Sequence, residues 1–162
     1  MKWLFFAIII ISSYLFGASV SQNEKKKLYS AVSVTRLLKE LLRSIEYIRT
    51  PLDKFFDGYK DSFLEETGFL KIIRKRNARD FASAWEAASE TLFMGEKPKK
   101  AFSSLGKDLG KLPLSEQTEK IGYCLSVFEE EAETLSKTLP GRVKSIKAVS
   151  TLAGTMLALL LV

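Results

Sequence analysis

Residues 28–48 read Leu28-Tyr-Ser-Ala-Val-Ser-Val-Thr-Arg-Leu-Leu-Lys-Glu-Leu-Leu-Arg-Ser-Ile-Glu-Tyr-Ile48. Leu28, Ala31, Val34, Leu38, Leu41, Ile45 and Ile48 recur there at spacings of three and four. That period lays one apolar stripe along an α-helix, whereas a half-buried strand would alternate residue by residue. Asn23 can cap this helix, and Thr50-Pro51 ends it and starts the next, with Thr50 as N-cap, Pro51 at the first helical position and Asp53 at the positive helix end.

The same reading continues outward. A short helix is expected over about 51–60, and another over about 61–73, with Gly68 as an interruption. Asp80 is placed to cap a helix from Phe81 to Met94, which carries Phe81, Ala84, Trp85, Ala88 and Leu92 on one face and ends at Gly95. Pro98 is placed to start a helix that closes at Gly110. Ser115 is placed to cap the last one, whose stripe is Ile121, Cys124, Leu125, Phe128, Ala132, Leu135 and Leu139. No stretch alternates like a strand, so the fold class is all-α: a bundle of about six helices. The first and last, about 38 Å each, are expected to pair antiparallel as a stalk.

The 162 residues are 46% hydrophobic and 27% charged, with a net charge of +6. All 19 acidic and 24 of the 25 basic residues lie between 21 and 147. Residues 3–20 carry no charge, nor do residues 148–162. As helices these ends reach about 27 Å and about 22 Å, against a hydrocarbon core of roughly 30 Å. Residues 1–20 and 142–162 are therefore expected to be transmembrane helices flanking a helical domain at 21–141. Lys25, Lys26 and Lys27 after the first, and Arg142, Lys144 and Lys147 before the second, place that domain in the cytoplasm. The alternative is a signal peptide cut near Gly17-Ala18-Ser19, releasing an exported helical binding domain; the loop charges argue against it.

Catalytic chemistry has little to work with. Histidine is absent and Cys124 is the single cysteine, which removes most triads, most zinc sites and internal disulfides. Cys124 lies in an apolar run and reads as a small buried hydrophobe. Gly106-Lys-Asp-Leu-Gly-Lys111 lacks P-loop spacing and a following Ser or Thr, so it reads as a helix C-terminus. Glu129-Glu-Glu-Ala-Glu133, and the pair Glu86 and Glu90, read as solvated helix faces. No catalytic, cofactor-binding or metal-binding residue is expected, and the chain is expected not to be an enzyme.

One patch invites a partner: Arg74, Lys75, Arg76 and Arg79 form a basic loop. It suits an acidic protein or anionic lipid, and it is expected to matter little for folding. Nucleic acid fits worst, because no aromatics interleave the cations. Trp85 reads as core.

The order of these features resembles the stage III sporulation protein AB family of endospore-forming bacteria. The likeness lies in Ile45-Glu-Tyr-Ile-Arg49-Thr50-Pro51-Leu52, in Phe81-Ala-Ser-Ala-Trp85-Glu-Ala-Ala88, in Leu105-Gly106-Lys-Asp-Leu-Gly110 with Gln117, and in Gly154 of the last apolar segment. It covers essentially the whole chain. The sequence departs from the family at Pro140-Gly141, expected to kink or break the last helix, and at Lys111-Leu-Pro113, where an acidic residue is common. The resemblance implies a membrane component of a secretion-like complex, in the mother-cell membrane facing the forespore. It also implies a cytoplasmic domain similar to that of type II secretion platform proteins, and as partners a cytoplasmic ATPase and other membrane proteins of the complex. A homo-oligomer is compatible with that role.

Overall fold

The computed structural model describes residues 2–48, 51–75 and 81–160; for 2–7, 9, 10, 13, 14, 16, 154 and 157–160 it describes the backbone alone. Among the described residues every regular element is helical. These are α1 (Lys2–Arg43) with a π-type continuation (Ser44–Ile48), α2 (Leu52–Gly58), α3 (Ser62–Glu66), α4 (Phe69–Arg74), α5 (Phe81–Ser89), α6 (Glu96–Asp108) and α7 (Leu114–Leu160).

Several boundaries differ from the sequence reading. Asn23 caps nothing, because α1 runs unbroken from Lys2 and Asn23 lies inside it. Asp61 caps α3 instead, accepting from the Leu64 amide at 3.0 Å. The segment expected as one helix over 61–73 is two, divided at Gly68, whose φ of 87° no helix interior adopts. Pro51 is the N-cap of α2, not its first residue, and Thr50 and Asp80 lie outside the described residues. Helix α5 closes at Ser89, short of Met94. Gly95 caps α6, which starts at Glu96 ahead of Pro98, and Leu114 precedes Ser115 in α7. Pro140 does not break α7, which continues to Leu160 with Pro140 inside it. Ile48, the last member of the first stripe, is 67% exposed while Ile45 is buried. A π-type turn adds one residue to its turn, which rotates everything after it off the buried face.

The chain divides into two compact units: residues 27–133, and residues 1–26 with 134–162. In the unit 27–133 the predicted stripe is core. Ala31, Val34, Leu38 and Leu41 are buried, joined by Leu37 and, from α7, by Ile121, Cys124, Val127 and Phe128. Ser30 Oγ accepts from the Phe93 amide at 3.0 Å, tying α1 to the segment after α5. Lys39 and Glu129 pair across α1 and α7 at 2.7 Å.

In the unit of the two ends, α1 and α7 run antiparallel. Gly17 lies against Ser150, close enough that a Cβ at residue 17 would stand 2.6 Å from Ser150 Oγ. Seven residues further along α1, Glu24 pairs with Arg142 at 3.4 Å. Ile8, Ile11, Leu15, Val149, Leu152 and Met156 are exposed. Among the described residues no helix is long and apolar enough to cross a membrane, so the two expected spans are not borne out there.

Candidate functional site

The family-like motifs converge on one side chain. Trp85, in the middle of α5, is fully buried. Its ring is surrounded by Phe102 at 4.5 Å, Phe81 at 5.5 Å, Phe69 at 5.7 Å and Phe56 at 6.0 Å between centroids. Phe56 and Phe69 meet it edge-on, at 76° and 79°, the orientation the ring quadrupoles favour. Its indole N–H is satisfied by the Phe102 carbonyl at 2.8 Å.

Gly106, one turn beyond Phe102 on α6, lies directly under the indole. A Cβ there would stand 2.0 Å from Trp85 Cδ1, so residue 106 must be glycine for the ring to occupy its place. Gly110, the second glycine of the motif, has φ of 80° just past the end of α6. That left-handed turn ends the helix, and a Cβ on it would meet Leu52 Cδ1 at 3.1 Å. Gln117 secures the loop that follows, its Nε2 donating to the Leu112 carbonyl at 3.0 Å. Leu52, Phe81, Trp85, Gly106, Gly110 and Gln117 thus serve the packing of α2, α5, α6 and the start of α7. Pro51 opens α2, its carbonyl accepting from the Phe55 amide at 3.0 Å. Arg49 and Thr50 lie outside the described residues.

The basic loop is not a uniform patch. Arg74 closes α4 and turns inward. Its Nε donates to the Phe56 carbonyl at 3.1 Å, its Nη2 donates to the Tyr59 carbonyl, and both Nη atoms reach Glu65 Oε1 at 3.4 Å. A guanidinium over the last carbonyls of α2 meets the negative helix end. Arg74 is therefore a structural tie, and its replacement is not neutral for folding as the sequence suggested. Lys75 is exposed; Arg76 and Arg79 lie outside the described residues. Nothing in the sequence around Arg74 marks it as different from its neighbours; only the approach of α2 does.

Of the carboxylates read as surface from sequence, Glu86, Glu90, Glu129, Glu130 and Glu133 are exposed and Glu131 is half-buried. Glu90 pairs with Lys99, and Glu130 with Lys97 at 2.6 Å. The Cys124 thiol is buried, which pushes its pKa up to about 12. Tyr59 is also raised to about 12, first by burial and then by Asp61 and Glu40. Glu116, Glu119, Lys120 and Tyr123 line an open depression of about 380 Å³ on α7. Tyr47 and Tyr123 are 80% and 63% exposed, large aromatic surface available to a partner. Among the described residues no His, Cys, Asp and Glu side chains converge as a metal site.

The family model for stage III sporulation protein AB matches residues 2–162 of the chain. No curated protein and no solved structure matches it.

Proposed function

The chain belongs to the stage III sporulation protein AB family, and on that premise we propose that it is a non-enzymatic platform in a secretion-like membrane complex. Membership makes it a stage III sporulation protein. In the finer role, the two charge-free ends anchor it in the mother-cell membrane facing the forespore. The helical unit 27–133 then stands on the cytoplasmic side as a docking surface for a cytoplasmic ATPase and for other membrane proteins of the complex.

The observation that carries this reading is the extent of the family match, residues 2–162, which takes in both charge-free ends as well as the domain. The packing supports it. The motif residues Trp85 and Gly106 are committed to one another, as befits a scaffold whose shape is its function. The cations flanking both charge-free ends, Lys25 to Lys27 and Arg142 to Lys147, favour this reading over the exported alternative. Such a scaffold takes ATP-driven work from its partner.

Deletion of the gene in the spore-forming host tests the role. Development should stop after engulfment, with loss of heat-resistant spores. Normal spore yield would refute it.

A further inference from the structure

The two units differ sharply in charge. Residues 27–133 hold eighteen basic and eighteen acidic residues, and residues 1–26 with 134–162 hold seven basic against one acidic. The chain's whole excess of +6 therefore belongs to the unit built from its two ends. The one acidic residue there, Glu24, is paired with Arg142 at 3.4 Å.

Five of these seven cations, Lys25, Lys26, Arg142, Lys144 and Lys147, are gathered in one band. Arg142 to Lys147 span about 7.5 Å along α7, and the Glu24–Arg142 pair brings Lys25 of α1 to the same level. Lys25, Lys144 and Lys147 are exposed. On one side of the band both helices carry no charge, over residues 3–20 and 148–160. They present Ile11, Leu15, Val149 and Leu152 outward, each more than half exposed. Exposed cations beside an exposed apolar surface, on both helices at one level, match a phospholipid, with an anionic phosphate next to its acyl chains. An acidic protein surface would leave the apolar side unmet.

We propose that this band is a collar that selects anionic phospholipids around the two helices, with Lys25, Lys144 and Lys147 as its contacts. The proposal rests on the membrane reading of the ends and adds a lipid preference to it.

The test uses the full chain reconstituted in phosphatidylcholine vesicles. Spin-labelled phosphatidylglycerol and phosphatidylcholine are compared by the fraction that electron paramagnetic resonance finds immobilised at the protein. About 1 kcal/mol per cation near the surface corresponds to about a fivefold preference. The parent should therefore favour phosphatidylglycerol about fivefold or more. The K25Q/K144Q/K147Q variant should approach parity, and so should the parent at about 1 M salt, where the screening length is about 3 Å. Equal association of the two lipids with the parent would overturn the collar, as would an undiminished preference in the variant. Release of the parent from the vesicles by alkaline carbonate would instead overturn the membrane reading itself, and the collar with it.

Discussion

Gly106 lies so close beneath Trp85 that a Cβ at residue 106 would stand 2.0 Å from the indole Cδ1. The neighbour cannot give way, because the ring is held by its hydrogen bond to the Phe102 carbonyl and walled in by four other rings. Gly106→Ala should therefore destabilise by about 3 kcal/mol, the upper end of overpacking effects. Trp85→Ala should cost about 3–5 kcal/mol through the cavity it leaves. Urea denaturation of a fragment spanning residues 21–139 gives both values. The fragment itself should be soluble and show a helical circular dichroism spectrum, because the unit 27–133 has its own core. A near-neutral Gly106→Ala would contradict the packing described.

Arg74 and Lys75 are adjacent and both cationic, yet they should behave differently. Arg74→Ala removes the donors to the Phe56 and Tyr59 carbonyls and should destabilise by about 1–2 kcal/mol. Lys75→Ala should stay within about 0.5 kcal/mol, as exposed positions do. Equal midpoints for the two variants in the same denaturation experiment would refute the internal role of Arg74.

Buried Cys124 and half-buried Tyr59 set an alkaline limit. Each has a folded-state pKa raised to about 12, from 9.0 and 10.0. The protonated form is the one the fold favours, so the stability linked to each is fully present below its unfolded value. It is lost as pH rises toward about 12. Stability of the fragment should fall across about pH 9 to 12, and Cys124→Ala should flatten the part of that fall which begins near 9. Cys124 should also resist alkylation at pH 8 until the fold is opened. Prompt labelling of the native thiol would contradict its burial.

The topology should place residues 27–133 in the cytoplasm, on the charge rule alone. In a Cys124→Ala background, single cysteines at Lys60 or Lys100, both exposed, should escape a membrane-impermeant thiol reagent in intact cells and react after lysis. Labelling in intact cells would reverse the orientation.

The helical fold was legible because burial follows the helical period. Val34, Leu38 and Leu41 are fully buried, as the stripe requires. Trp85 and Cys124 were legible as core for the same reason. What period cannot register is a local change of helix type, so Ile48 was assigned to the wrong face. Caps were misplaced where longer-range packing carries a helix through a plausible start, as at Asn23. Pro140 was expected to kink or break α7; it does not break it, since a proline removes a single backbone donor and α7 continues to Leu160. The motif Leu105–Gly110 was recognisable as a helix end, and its second glycine does end α6. That the first glycine makes room for an indole on another helix is a tertiary fact, with no local signature. Arg74 was hidden in the same way, since its partners are carbonyls 15 and 18 residues away.

The central claim is that this chain holds a motor it does not itself contain. Its most direct test is recovery of the complex's cytoplasmic ATPase on the affinity-tagged full chain, purified from membranes of sporulating cells, with ATP hydrolysis assayed in the same fractions and on the purified chain alone. The account predicts that the ATPase is retained and that the chain alone hydrolyses nothing. Failure to retain the ATPase would contradict the platform role, and hydrolysis by the chain alone would contradict its being non-enzymatic.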